Sequence, residues 1–421
     1  MTTSGHIQFD EWVDLYASRV ETMRTSAVRD LFAAASRSDI ISLSGGMPDI
    51  RHLPLEEVSR VAANAVLQEG VAGLQYGGTT GRAQTKEVIC GLMRDMDIHI
   101  TIEDVTVTTG AQQALDLLAK SFVNPGDKII TEGPTYLGAL QAFSAYQPEI
   151  HTVEFDADGM RMDLLEAKLS ELGVRGAKFI YTVPTFQNPG GVTMSLQRRI
   201  RLLELAHTYK IPVIEDDPYG RLRFEGEPVP CLRSMDEEVI YLGTVSKVFA
   251  PGLRTGWVIA PRPILQKLNM VKQGSDLCGS ALNQVIVEHY FNDTAWRDVL
   301  SNMRDKYRER RNAMLSALEE FFPPEATWTH PSGGFFVWVT LPEYVNTPQL
   351  LSVALESGVT FVPGDGCFPG GSGKGHNMMR IAFCYEEPQD LREAIRRLSL
   401  VIEERLELYR AFINAGVLKE D

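Results

Sequence analysis

The sequence predicts an α/β fold with a mostly parallel central sheet in a large domain, joined to a smaller α+β domain, and three observations carry that expectation. Its 421 residues exceed what one core usually serves. Of these residues 44% are apolar, enough to bury two cores. Short β-branched runs alternate with helix-length amphipathic stretches through the first two thirds of the chain.

Taken in order, Phe9 to Ala35 carries a mixed-charge helical pattern and reads as an N-terminal arm. It stops before the β-like run IISL (40–43) and the turn signal SGGMP (44–48). The sheet strands follow as VTVTT (105–109), KIITE (128–132), KFIYTV (178–183), PVIED (212–216), VIYLG (239–243) and GWVIA (256–260). Amphipathic stretches such as AQQALDLLAKSF (111–122) and LQRRIRLLELAHTY (196–209) supply the covering helices. After about Ala295 the texture changes to a basic helix around RDKYRERRNAML (304–315), strand-like FFVWVT (335–340), GVTFVP (358–363) and MMRIAF (378–383), and a charged terminal helix. The expected division is 1–44 as arm and part of the small domain, 45–295 as large domain, and 296–421 as small domain. The glycines of PGGSGKG (369–375) suggest a mobile loop and a candidate lid.

Composition removes several function classes. A formal net charge of −14, from 41 basic and 55 acidic residues without a block of like charge, argues against nucleic acid or an anionic membrane as partner. The five cysteines are scattered, odd in number and without metal spacing, as expected of reduced thiols in a cytoplasmic protein with no metal centre. The start, MTTSGHIQFD, lacks the features of a signal peptide, and no run approaches the roughly 18–20 apolar residues of a membrane helix.

Chemistry concentrates where strands give way to loops, which is where ligands of parallel sheets bind. Lys247 stands in GTVSKVFAPGLRTGW (243–257), directly after a buried strand. A partly desolvated lysine amine is the nucleophile that traps a carbonyl, whereas an ordinary loop lysine is solvated. Its neighbours Thr244, Ser246 and Arg254 offer two hydroxyls and a fixed positive charge, a set that suits a phosphate. Upstream, TTGAQQAL (108–115) places Gly110 between a strand and a helix, so the amides of Gly110, Ala111 and Gln112 form a second anion site, unless the turn is mere connection. IEDDPYG (214–220) ends an apolar strand in two carboxylates. Asp216 is assigned to the ring nitrogen of pyridoxal phosphate, Asp217 to a turn or pairing role, and Tyr219 to the ring's phenolic oxygen. The turn FQNPGG (186–191) aims Asn188 into the same site or is simply a turn.

These motifs, with GPTYLGAL (133–140) and SLSGGMP (42–48), in this order and spacing, closely resemble the fold type I, class I/II aminotransferases that depend on pyridoxal 5′-phosphate, especially the α-aminoadipate (kynurenine) and broad-range branch. The likeness spans nearly the whole chain. It implies Lys247 as the Schiff-base lysine and proton shuttle of a ping-pong transamination between an amino acid and a 2-oxo acid. It also implies Tyr136 stacked on the ring and Arg380, in NMMRIAF, as a bidentate clamp for the substrate α-carboxylate, where the competing reading is pairing with a structural acid. Tyr76, in GLQYGGTTG, resembles the tyrosine that reaches the phosphate of a neighbouring subunit, implying a homodimer with shared sites; otherwise it is a hairpin residue. Gly45 and Gly46 match the glycine turn beside the substrate, or form an ordinary turn. Ala111 departs from the family pattern, which often has a hydroxyl there. Two rivals remain: a β-lyase or decarboxylase on the same fold, and an aminotransferase-like regulator carrying a DNA-binding domain, which the acidic charge disfavours.

Overall fold

The computed structural model describes residues 10–23 and 39–414. Most of the expected arm lies outside these residues; its described part forms a single turn at Val13–Leu15 and a short helix at Ser18–Thr22. Fourteen strands follow among the described residues, from β1 (Ile41–Ser42) onward.

Eight of them build the central sheet. In chain order they are β2 (Val105–Thr108), β3 (Lys128–Gly133), β4 (Glu149–Asp156), β5 (Gly159–Met160), β6 (Ile180–Thr182), β7 (Val213–Asp216), β8 (Ile240–Thr244) and β9 (Gly256–Ile259). Their spatial order is β2-β9-β8-β7-β6-β3-β4-β5. The run from β8 to β4 is parallel, while β9 is antiparallel to both of its neighbours and β5 folds back on β4. Each expected strand is present to within two residues, because strands covered on both faces must be continuously apolar and β-branched. The pair β4 and β5 was absent from the expectation. Near the sheet edge β4 mixes Glu149, His151, Thr152 and Glu154 with Ile150, Val153 and Phe155, so its composition does not stand out.

The faces are covered by helices of matching pattern. Met162–Leu172 and Leu196–Tyr209 pack Leu165, Leu202 and Leu205 onto Ile130, Ile180 and Val213. Gly110–Phe122 and Leu137–Ser144 cover the other face, where Phe143 meets Tyr181 edge-on at 5.3 Å between ring centroids. Burying side chains of this size stabilises by roughly 1.5–3 kcal/mol each before entropy is counted.

A second sheet, antiparallel throughout, joins β10 (Thr327–Trp328), β11 (Phe336–Thr340), β14 (Met378–Ala382) and β13 (Val362–Pro363) in that order. The run expected as one strand at 358–363 is two: β12 (Val359–Thr360) pairs with β1, and β13 pairs with β14. Phe361, fully buried between them, is where the chain changes sheets. The helices Trp296–Phe321 and Pro388–Asn414 pack on each other beside this sheet. Among the described residues no helix is long and apolar enough to cross a membrane.

Candidate active site

Strands β6, β7 and β8 are parallel, so the loops leaving their carboxyl ends emerge together, beside those following β2 and β3. With the turn after β1 and a residue of β14 these loops enclose a cavity of about 370 Å³, a size suited to a small ligand.

Asp216 is the last residue of β7 and is buried. Register places Tyr181 of β6 opposite Ile214, and two-residue alternation returns Asp216 to the same face, so the Tyr181 hydroxyl donates to its Oδ2 at 2.8 Å. The other oxygen, Oδ1, is buried without a partner among the described residues. Burial pushes the Asp216 carboxyl up from 3.8 to about 7, against the opposing pull of the Tyr181 hydroxyl and the Lys247 charge.

Lys247 follows β8 by three residues, and its Nζ donates to the carbonyl of Gly46 at 2.8 Å. Withdrawal from water lowers its pKa from 10.5 to about 8. Beside it the Thr244 hydroxyl lies 2.9 Å from the Ser246 hydroxyl and accepts the Ser246 N–H at 3.1 Å. Arg254 sits on the rim in a left-handed backbone conformation, φ +50°. Its guanidinium rests against the start of the helix Gly110–Phe122, where a Cβ on Gly110 would stand 2.5 Å from Nη2. Only glycine permits that approach, and Gly110 itself has φ +75°. The first-turn amides of this helix have no intrahelical acceptor.

Across the cavity, Asn188 donates through Nδ2 to the Tyr219 hydroxyl at 3.4 Å and accepts at Oδ1 from Arg380 Nη1 at 3.0 Å. Arg380 alternates with Met379 and Ile381, which fill the core, so it faces the cavity from β14. Its Nη2 donates to the Ser44 carbonyl at 2.9 Å, its Nε is buried without a partner among the described residues, and its Cζ lies 4.2 Å from the Phe336 ring centroid. Tyr136 folds over Gly138, where a Cβ would come within 2.4 Å of the ring, and its hydroxyl is 3.4 Å from Gln112 Oε1.

Of the residues singled out from sequence, Gly46, Ala111, Gln112, Tyr136, Asn188, Asp216, Tyr219, Thr244, Ser246, Lys247, Arg254 and Arg380 all line this cavity. Gly110 lies immediately behind Ala111, and Gly45 is buried one residue back, its carbonyl 3.8 Å from the Cys384 sulfur. Tyr76 stands outside the wall, 79% exposed. The glycine-rich loop 369–375 contributes Gly373, Lys374 and Gly375 to a separate hollow of about 760 Å³. Asp217 points away from the cavity and accepts from the Gly220 N–H at 2.8 Å and the Tyr241 hydroxyl at 3.1 Å, a turn and pairing role. Sequence reading missed Met47, Leu137, Gln141 and Phe336 in the wall, and Tyr181 behind Asp216. A hydroxyl-bearing aromatic inside the apolar strand run KFIYTV was the one available signal for Tyr181.

The donor set fits pyridoxal phosphate. The unpartnered Asp216 Oδ1 suits a protonated ring nitrogen, and the hydroxyls, helix amides and Arg254 suit a phosphate. An amine of lowered basicity suits an aldehyde.

Comparison with known proteins agrees. The family model described as aminotransferase class I and II matches residues 38–398. Aromatic-amino-acid aminotransferase 1 of Thermococcus litoralis is 44% identical over 93% of this chain and 94% of its own. The crystal structure of a kynurenine aminotransferase of Pyrococcus horikoshii in complex with PMP is 40% identical, with a TM-score of 0.89 over 94% of this chain and 98% of that one. An alpha-aminoadipate aminotransferase of Thermus thermophilus, complexed with N-(5′-phosphopyridoxyl)-L-leucine, is 35% identical with a TM-score of 0.87 over 94% and 99%.

Proposed function

The chain belongs to the class I and II aminotransferases and is a pyridoxal-phosphate-dependent transaminase acting on amino acids and 2-oxo acids; from that premise we propose the roles of its residues and the class of its donor. The observation that carries the assignment is the convergence of Lys247, the half-partnered Asp216, the Asn188–Tyr219 pair and Arg380 on one cavity.

When bound, the cofactor supplies an aldehyde that links covalently to primary amines and a cationic ring that withdraws electrons from the carbon bearing the amino group. Asp216 holds the ring nitrogen protonated, and Tyr181 fixes the carboxylate that does so. Asn188 and Tyr219 serve the phenolic oxygen, and Tyr136 covers one face of the ring. Thr244, Ser246, Arg254 and the amides of Gly110, Ala111 and Gln112 hold the phosphate, backbone amides standing in for the hydroxyl that Ala111 lacks. Lys247 anchors the cofactor and then carries a proton from the donor Cα; a pKa of about 8 leaves a useful neutral fraction near pH 7. Arg380 receives the α-carboxylate in its planar fork, with Gly46 and its neighbour Gly45 forming the adjoining wall.

The donor we propose is a large uncharged amino acid, aromatic ones first. Met47, Leu137, Gln141 and Phe336 are neutral, and the charged residues lining the cavity among those described, Asp216, Lys247, Arg254 and Arg380, already have tasks. The names of the Thermococcus litoralis and Pyrococcus horikoshii relatives support the same class, whereas that of the Thermus thermophilus relative points to an acidic donor, which the panel below includes. A panel of donors assayed against 2-oxoglutarate and pyruvate tests it: aromatic donors should give the highest kcat/KM, with 2-oxo acid formed and neither ammonia nor carbon dioxide released. Stoichiometric ammonia or carbon dioxide would instead identify a lyase or decarboxylase.

We further propose a homodimer in the cytoplasm. Leu67, Val71, Leu74 and Tyr76 are exposed together, a grouping that a second subunit would cover while taking Tyr76 to its phosphate. All five cysteines are free, as in a reducing compartment. Light scattering giving a monomer at micromolar concentration would contradict the first part, and recovery from an extracellular fraction the second.

A further inference from the structure

Glu132 ends β3 but for one residue and is buried, yet it touches neither the cavity nor any ligand contact described above. Its carboxylate accepts from the Thr182 hydroxyl at 2.8 Å, the Val183 N–H at 3.1 Å and the Gln187 side-chain amide at 3.2 Å. That amide donates a second time, to the Pro134 carbonyl at 2.9 Å, and the Gln187 side-chain oxygen accepts the Gly190 N–H. One buried side chain therefore ties the segment 132–134, which leads two residues on into Tyr136, to the turn 187–190, which presents Asn188. The turn has no slack, since a Cβ on Gly190 would lie 2.4 Å from the Phe155 ring and 2.9 Å from Gln187 Oε1.

We propose that Glu132 and Gln187 are positioning residues: a buried clamp that fixes the spacing between Tyr136 and Asn188, and through them the seating of the cofactor ring. The proposal rests on the assignment of Tyr136 and Asn188 as ring contacts. Donors from β6 and from the loop after it converge on the one carboxyl that β3 carries. Neither residue need touch the reacting atoms; a displacement of about 1 Å at the ring is enough to cost roughly 10²-fold in rate.

The test uses the full-length protein loaded with pyridoxal phosphate. Gln187→Met keeps the volume and removes every hydrogen bond of the Gln187 side chain, leaving Glu132 with Thr182 and Val183 alone. Expected are cofactor affinity lowered by roughly 10-fold, kcat lowered by about 10²-fold with a much smaller change in KM, and an altered circular dichroism band of the bound cofactor. Glu132→Gln retains an acceptor for Gln187 and should keep most of the band and of kcat that Gln187→Met loses. Leu398→Ala, in the core of the helix Pro388–Asn414, is the stability control and should lower the melting temperature while leaving the band unchanged. A folded Gln187→Met protein with wild-type affinity and dichroism overturns the proposal. Should that variant not fold, Gln187→Asn carries the same readouts, and a wild-type band in it overturns the proposal equally. Borohydride labelling separates the two levels: label on Lys247 with an unaltered band refutes the clamp alone, whereas label on another lysine refutes the ring contacts on which it rests.

Discussion

On one face of β7, Asp216 has a single hydrogen-bond donor among the described residues, Tyr181, and one bare oxygen; on the opposite face its neighbour Glu215 accepts the N–H groups of Leu232 and Arg233, each at 2.9 Å, with Arg199 at 3.7 Å. Both carboxyls are buried, and burial pushes both up to about 7. Consecutive residues on one strand point to opposite faces, so the sheet separates two kinds of buried charge within a few ångströms. The Glu215 face is a finished polar cluster, completed by Glu132, Thr182 and the Tyr241–Asp217 contact. The Asp216 face is left short of partners, which costs stability in the protein alone and is recovered when a cation is supplied. A buried acid that lacks a partner thus points to a ligand, and one that has its partners points to architecture.

Substitutions can break this contrast, and the largest effect is expected on the ligand side. Lys247→Ala should lower kcat by about 10⁴-fold or more in a steady-state transamination assay, since it removes both anchor and proton carrier. Asp216→Asn should lower kcat by about 10²–10³-fold, as the loss of a preorganised charge does elsewhere. Arg380→Lys keeps a charge but loses the fork, and kcat/KM for donors should fall by about 10–100-fold with cofactor absorbance unchanged. On the other face, Glu215→Ala should leave kcat per folded molecule within about 2-fold and instead lower stability to urea by about 3 kcal/mol, because it leaves the buried Arg199 charge without its counter-ion and strips two buried amides of their acceptor. Equal loss of activity in Asp216→Asn and Glu215→Ala would erase the distinction.

The smallest expected effect sharpens it through pH. Asp216 has a folded pKa of about 7 against 3.8 for the free side chain, so the folded protein holds the extra proton between those values. Stability of the cofactor-free protein therefore falls as pH rises through that window, and the burden is complete above about pH 7. Cofactor-free Asp216→Asn should match the parent near pH 4 and exceed its melting temperature by a few degrees at pH 8. A variant less stable than the parent at pH 8 would contradict the reading of Asp216 as an unsatisfied acid.

Much of this was legible in the sequence because the same physics writes both. Parallel strands covered on two faces must be apolar runs, so β2, β3 and β6 to β9 declared themselves, and ligand loops follow their carboxyl ends, so Lys247, Asn188 and Asp216 were found from their position after a strand. What stayed hidden depends on register between distant segments. Nothing in KFIYTV alone says that Tyr181 will stand beside Asp216, and nothing in FQNPGG says that Gln187 will reach back to Glu132. The break at Phe361 was hidden for the same reason: GVTFVP has the composition of one strand, and only the two different pairing partners divide it.

The most direct test is to load the protein with pyridoxal phosphate, reduce it with borohydride, digest it and weigh the peptides. A phosphopyridoxyl group fixed on the ε-amine of Lys247, in near-unit stoichiometry, is the predicted result. A label on another lysine, or no label in protein that binds the cofactor, would contradict the assignment of Lys247 and the site built around it.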